Sequence, residues 1–458
     1  MNDIVVLGGG PGGYAVALRA AARGQKVALV EVEKVGGTCL HWGCIPSKAM
    51  LYVGGLLDEV RDAARLGLDL SVNGMSLDGI NAFRQSVQDS LYKGLAGLLQ
   101  SKGVEVVDGL GTVADDGRTV LVEGSDQRVT GRTLVIATGS RVRSLPGVDV
   151  DRQVVITSDE ATRLPRIPRR AAVIGSGAVG LEFASLWRSL GAEEVTVIEA
   201  LDRIAPLEDP DLSKQLARNY RKRGITTVAG AMVEAVKVDG EVATVRYGDT
   251  ELSVDTVLVA VGRAPRTDGI GLEQLGVVNE RGYVTVDPWC RTPAEGVFAV
   301  GDLLPPPSLA LAHAGFAEGF LVADVIAEAG DPQPVDYAQV PRVTYTSPEV
   351  ASVGLTEPQA SERGYEVATT KYSLRGNAKG VIHESDGFVK TVVAKGGEVL
   401  GVHVIGPHAT DLIAEAQLIT AWGALPSEVA ALVHPHPTLA EAIGEVHLAA
   451  AGTPFHTH

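Results

Sequence analysis

The sequence predicts an α/β protein: two tandem βαβ-type units followed by a C-terminal α+β domain. Three observations predict it. A short apolar strand, a Gly-rich turn, a helix and a strand ending in an acid follow one another from Ile4 to Glu31. The same succession returns from Ala172 to Glu199, which is an internal repeat at domain scale. From about Val340 the texture changes to alternating strands such as Phe388 to Val393, mixed with helices and a His/Pro cluster.

Length and composition fit this reading. The chain has 458 residues, enough for three or four units at roughly 100–200 residues each. Hydrophobic residues make up 45% and charged residues 21%, a globular balance. The net charge of −16 argues against a nucleic-acid partner, which needs surplus Lys and Arg, and permits a basic protein partner. No apolar run is long enough to span a bilayer. Strand-like sequence begins at Ile4, so no signal peptide is expected, and a cytoplasmic location is. Cys39, Cys44 and Cys290 are too few for a disulfide framework.

In the first repeat, Ile4 to Leu7 has strand propensity. Gly8, Gly10 and Gly13 fit G-x-G-x-x-G: one glycine for the tight turn, one for close approach to a pyrophosphate, one for helix–strand packing. A helix is expected from Tyr14 to Arg23, stopped by Gly24. A second strand ends in Glu31, placed to accept ribose hydroxyls. The second repeat has Gly175, Gly177 and Gly180, a helix to Leu190 stopped by Gly191, and a strand ending in Glu199. An acid there disfavours a 2′-phosphate and predicts NAD rather than NADP; Arg203 nearby weakens that preference. Both units are therefore expected to be Rossmann-like dinucleotide-binding domains. Two different dinucleotides, a flavin and a nicotinamide, would form an electron relay.

Later strands echo each repeat. Leu134 to Gly139 follows the first and Val257 to Arg263 the second, and Phe298 to Asp302 is another strand ending in Gly-Asp. Pro305 to Pro307 marks a loop, a helix is expected from about Ala310 to Glu328, and Pro332 and Pro334 mark a boundary. The expected segments are 1–148, 149–270, 271–338 and 339–458.

Cys39 and Cys44 lie five residues apart in Gly36 to Lys48. In a regular helix their Cα atoms would rise about 7.5 Å, beyond the usual disulfide limit of about 7 Å. A disulfide here requires the backbone to deviate, which Gly43 eases. A helix from about Ile45 would put Cys44 near a positive N-terminus, which favours a thiolate. Spacing alone leaves three readings open: a reactive disulfide, two buried thiols, or half of a zinc site. A structural zinc site usually wants a second pair, and no metal is expected.

The motif G-G-T-C-x-x-x-G-C-I-P-S-K over 36–48, the two glycine turns and H-P-H-P-T over 434–438 resemble the pyridine nucleotide-disulfide oxidoreductases, in the right order and over essentially the whole chain. The resemblance implies FAD and NAD as cofactors. It implies that Cys44 is the flavin-side sulfur and Cys39 the sulfur that exchanges with substrate. Lys48 would sit beside the flavin and pair with Glu182. Thr138, Gly139, Asp302, Ala310 and His313 would line the flavin site, Asp302 holding its ribityl and phosphate region. Glu182 and Gly262 would join Gly175, Gly177, Gly180 and Glu199 around NAD.

The resemblance further makes His436 the general acid–base, with Glu441 orienting it, and His434 structural. The chemistry needs such a group: dithiols near pKa 8.5 or above must lose a proton to attack, and a His near 6.5 can accept it. His436 would act on the disulfide of the partner subunit, so a homodimer is implied, and 339–458 becomes a dimerisation domain. Within the family the motifs fit reoxidation of protein-bound dihydrolipoyl groups, by attack on Cys39, a mixed disulfide and release of the oxidised lipoyl group. The partner is then a lipoylated protein, an acyltransferase core or a glycine-cleavage carrier. The alternatives are an NADP-linked, glutathione-type reductase, against which Glu199 and Ala178 speak, and a docking subunit without catalysis. The segment from Pro454 to His458 has no cysteine pair, unlike mercuric reductases. Cys290 is expected to be a buried, unreactive thiol.

Overall fold

A computed structural model describes residues 1–163 and 165–456; Thr457 and His458, the last two residues of the cysteine-free C-terminal segment, lie outside the described residues. The chain divides into two compact units. One comprises residues 1–49, 76–143 and 262–337, the other 50–75, 144–261 and 338–458.

The first unit is built on a parallel sheet. Glu105–Asp108, Val27–Glu31, Asn2–Leu7 and Arg128–Ile136 run side by side, and Val297–Ala299 pairs in parallel with Arg128–Ile136. Ile4, Val5 and Val6 are all buried, so successive side chains meet protein on both faces, as an all-apolar strand requires. Thr119–Val122 and Gly111–Val113 continue this sheet in antiparallel fashion.

The first helix runs Pro11–Ala22, three residues earlier than predicted. Gly10 is extended and caps it, and Pro11 occupies its first turn, where a fixed φ and a missing N–H cost nothing. The last residues of the Gly-rich turn are therefore helical. This helix packs on Ala312–Ile326 through small residues: a Cβ on Gly319 would lie 2.7 Å from the Gly12 carbonyl oxygen.

The second unit holds another parallel sheet, ordered Ile225–Val228, Glu194–Ile198, Arg170–Ile174, Thr256–Val259 and Val155–Ile156. Gly191, at φ +107°, ends the helix Ala178–Leu190, the left-handed stop that favours glycine. A three-stranded antiparallel sheet spans Val233–Asp239, Val242–Tyr247 and Thr250–Val254. A five-stranded antiparallel sheet orders Arg342–Thr344, Glu349–Gly354, Val399–Gly406, Phe388–Ala394 and Val367–Ser373. The helices Ala409–Ala421 and Glu441–Ala450 share a buried core with it, including Val402, Val404, Ile413 and Ile443. The fold class is thus α/β with a C-terminal α+β part. No helix among the described residues is long and apolar enough to cross a membrane.

Candidate functional site

Cys39 lies in the short helix Gly37–His41, and Cys44 opens the helix Cys44–Asp62. Trp42 and Gly43 between them break the helical path, with Trp42 at φ −132°. This is the deviation that the five-residue spacing demands. Cys44 occupies the helix's first turn, where unbonded N–H groups favour negative charge. Ser47 Oγ donates to the Gly43 carbonyl at 2.7 Å and stiffens the turn.

The two sulfurs act on each other. A hydrogen bond with Cys44, then burial, push the Cys39 thiol well above its ordinary range, while the Lys48 ammonium pulls the other way. Ionisation of Cys39 is therefore opposed while Cys44 lies beside it. Tyr14 belongs to the same surroundings: burial, then Cys39 and Cys44, push its phenol up to about 12. Sequence reasoning missed Tyr14, which simply follows a glycine motif. It also missed Gln88, whose buried amide donates to the carbonyls of Leu40 (3.1 Å) and His41 (2.9 Å) and holds the end of the Cys39 helix.

Asp302 follows Gly301 at the end of the Val297–Ala299 strand. Its carboxylate accepts from Ser140 Oγ at 2.6 Å, and Arg263 Nε donates to that same hydroxyl at 2.6 Å. The antiparallel pairing of Ser140–Val142 with Arg263–Pro265 brings the three together. Behind Gly301, the fully buried Glu318 accepts from the Gly301 N–H (2.6 Å), Ser308 Oγ (2.7 Å) and Tyr337 Oη (2.8 Å). Burial raises its pKa despite those bonds. Thr138 Oγ1 donates to the Arg266 carbonyl at 2.7 Å, and Gly139 has φ +69°. Ala310 precedes the helix Ala312–Ile326, with Leu311 as its cap and His313 in its first turn. Gly262 falls in this unit, where its carbonyl accepts from the Arg143 N–H at 3.1 Å.

The two glycine turns repeat each other atom for atom. Gly9 N donates to Glu31 Oε2 at 2.6 Å; Ser176 N donates to Glu199 Oε2 at 2.8 Å. The other carboxylate oxygen accepts from Glu33 N (3.0 Å) in the first turn and from Leu201 N (2.9 Å) in the second. Ser176 Oγ adds a further bond to Glu199 at 2.6 Å. Each acid thus ties its strand end to the turn and keeps acceptor capacity for a ribose.

These turns fit a dinucleotide. A Cβ on Gly8 or Gly175 would lie 2.3 or 2.5 Å from a carbonyl oxygen of the neighbouring strand end. On Gly13 or Gly180 it would lie 1.9 or 2.1 Å from the turn's own first carbonyl. Gly177 meets nothing within 4 Å, and Gly10 only Gly37 Cα at 4.0 Å. So the middle glycine alone faces open space, the room that close approach of a pyrophosphate requires. Neither helix has a side-chain cap, which leaves its first N–H groups for phosphate. Arg203, the residue that weakened the preference for NAD, turns to the Pro206 carbonyl (2.9 Å) and Asp202 (3.3 Å). Glu182 is buried on the helix Ala178–Leu190 and accepts the Tyr345 N–H at 3.0 Å. Lys48 lies one turn along from Cys44.

In the C-terminal part, His436 Nδ1 lies 2.7 Å from Glu441 Oε1, and Thr438 N donates to Glu441 Oε2 at 2.7 Å. Burial opposes ionisation of Glu441, but the Thr438 N–H and the His436 ring outweigh it and hold the carboxyl below its ordinary range. Asn377 Nδ2 fixes the loop by donating to the Thr438 carbonyl at 2.9 Å. The His436 side chain is 74% exposed, whereas that of His434 is 11% exposed and bonded to Glu415 at 2.7 Å. The hydrogen bond to Glu415 raises the pKa of His434, and its ring packs where a Cβ on Gly444 would lie, 2.6 Å from Nδ1. Cys290 is buried, which pushes its thiol up.

Comparisons with known proteins bear on this arrangement. Residues 2–319 match the family model "Pyridine nucleotide-disulphide oxidoreductase", and residues 340–447 match that family's dimerisation domain. The chain is 39% identical over 472 residues to a dihydrolipoyl dehydrogenase of Bacillus subtilis, covering 99% of each. It is 38% identical to a leghemoglobin reductase of Glycine max, covering 100% of this chain and 89% of that one. Among solved structures, LpdA from Mycobacterium tuberculosis superposes with a TM-score of 0.91 at 28% identity, covering 98% of this chain and 100% of that one.

Proposed function

The chain belongs to the pyridine nucleotide-disulphide oxidoreductase family, and on that footing we propose that it is a dihydrolipoyl dehydrogenase that reoxidises protein-bound dihydrolipoyl groups. Its cofactors are FAD and NAD, and its dimerisation domain supports a homodimer. The observation that carries the reading is the Cys39–Cys44 pair across a broken helix, with Lys48 one turn further on.

In the oxidised enzyme Cys39 and Cys44 form a disulfide. His436 of the partner subunit takes a proton at Nε2 from one substrate thiol. The resulting thiolate attacks Cys39 Sγ, the Cys39–Cys44 bond breaks, and Cys44 leaves as a thiolate at its helix N-terminus. The His436 imidazolium gives its proton to the departing Cys39 sulfur as the second substrate thiol attacks the first substrate sulfur and the lipoyl disulfide closes, and the freed Nε2 takes up the proton of that second thiol. Two electrons now rest on the cysteine pair. Bound FAD supplies the chemistry that takes this electron pair and passes it as hydride to NAD.

Glu441 holds the His436 ring with Nδ1 protonated and supports the imidazolium. Asp302, set by Ser140 and Arg263, is placed to hold the ribityl and phosphate region of FAD. Glu31 and Glu199 are the ribose acceptors. Segments 1–148 and 271–338 serve FAD, 149–270 serves NAD apart from 262–266, which pair within the first unit, and 339–458 dimerises. The lipoylated partner is an acyltransferase core or a glycine-cleavage carrier, and the location is cytoplasmic.

Steady-state assays that pair dihydrolipoamide or glutathione with NAD or NADP test the assignment. Turnover is expected with dihydrolipoamide and NAD. Faster reduction of oxidised glutathione by NADPH would overturn it.

A further inference from the structure

The second unit contains a basic cavity of about 740 Å³ between the helix Pro210–Lys222 and the β-hairpin Val367–Ala394. Arg218, Arg221 and Lys222 come from the helix, where spacings of three and four put them on one face. Lys371 and Ser373, two apart, face it from the strand Val367–Ser373, and Arg375 follows in the next turn. Phe388, directly opposite Ser373 in the sheet, forms part of the wall.

Five cations thus converge on one cavity, with Asp386 the single carboxylate lining it among the described residues, in a chain whose net charge is −16. Asp386 binds Lys222, and Lys371 reaches Asp211 at 2.7 Å. No carboxylate among the described residues pairs with Arg218, Arg221 or Arg375. Clustered like charges repel and focus a positive potential in a concave site. Guanidinium forks match phosphate oxygens in a bidentate way that an ammonium cannot. The volume lies in the range of roughly 300–1,000 Å³ usual for small-molecule sites.

We propose that this cavity is a binding site for a small polyanion with two or three linked phosphates, supplied as a nucleoside triphosphate or as inorganic polyphosphate. The Arg forks favour phosphates over carboxylates, and the cavity favours a small ligand over an extended acidic chain. The three unpaired arginines would carry the binding, and the paired lysines would set the local potential.

Calorimetric titration of the FAD-loaded dimer tests this, with NAD saturating so that the Gly175 turn is filled. The probes are sodium tripolyphosphate, ATP and a poly-glutamate peptide. One tripolyphosphate is expected per chain. The triple variant Arg218→Ala/Arg221→Ala/Arg375→Ala keeps both lysine ion pairs, and should bind at least about tenfold more weakly. Its circular dichroism and dihydrolipoamide turnover should be unchanged. ATP binding as tightly as tripolyphosphate assigns the contact to the phosphates; tighter ATP binding adds the nucleoside as the physiological source. Equal affinity in wild type and variant, no tripolyphosphate binding once NAD is saturating, or binding of poly-glutamate alone would overturn the proposal.

Discussion

His436 Nδ1 lies 2.7 Å from Glu441 Oε1, in a loop where Thr438 N and Asn377 Nδ2 hold the remaining polar groups. An ionised carboxylate can only accept, so Nδ1 carries the proton and Nε2 is left as the base. Removing Glu441 should therefore lose the tautomer and the ring orientation together. We expect Glu441→Ala to lower kcat for dihydrolipoamide by roughly a hundredfold or more. Its hydride exchange between NADH and a nicotinamide analogue, which needs no thiol proton transfer, should be little changed. Loss of both activities in parallel would mean that Glu441 only maintains the fold.

The same carboxylate makes stability depend on pH. Its folded pKa lies below the ordinary Glu value of about 4.3. A depressed pKa contributes stability that is fully present above the unfolded value and is lost as pH falls through the folded one. Glu441→Gln should thus be less stable than wild type at neutral pH, with the gap closing below about pH 4. Urea midpoints at several pH values measure this. A gap that stays constant would place the effect in packing rather than ionisation.

The two kinds of turn glycine should fail differently. Gly177 has φ −71° and open space beyond its Cα, so Gly177→Ala should fold normally and raise KM for NAD. A Cβ on Gly180 would lie 2.1 Å from the Gly175 carbonyl oxygen, so Gly180→Ala should lower the melting temperature itself. Thermal scans of both proteins, beside NAD titrations, separate the effects. Equal stability loss in both would contradict the role given to the middle glycine.

Much of this site was legible because its signals are local. Each glycine turn and its acid lie within about two dozen residues, and the strand–helix alternation announces the packing that joins them. Cys39 and Cys44 are five apart, so their spacing restricted the backbone between them, whereas the pairing of His436 with Glu441 was legible only through the family resemblance. The Ser140–Asp302–Arg263 relay was not legible, since its members are separated by 162 and 123 residues and only strand pairing unites them. Gln88 belongs to no motif, and only the helix Leu77–Ser101 brings it under the Cys39 segment. The start of the first helix at Pro11 was missed because a run of glycine and proline argues against helix unless it forms the cap and first turn.

Burial without local pattern also hides Lys390. Its ammonium, 1% exposed, meets Asp209 (3.0 Å), Asp211 (2.8 Å) and Glu357 (2.9 Å), and Asp209 is fully buried. Lys390→Met would strand the Asp209 charge and should cost about 3–5 kcal/mol. Replacing Asp209 as well, in Lys390→Met/Asp209→Leu, should recover part of that loss. Denaturant unfolding of both variants checks the order; a double variant no more stable than the single one would count against an uncompensated charge as the cause.

On the proposed reading, electrons pass from substrate to flavin through the Cys39–Cys44 pair. Anaerobic titration of the FAD-loaded enzyme with dihydrolipoamide tests it most directly. Wild type should develop a long-wavelength charge-transfer absorbance as the pair is reduced, and Cys44→Ser should lose both that band and turnover. A Cys44→Ser protein with full dihydrolipoamide turnover would contradict the account.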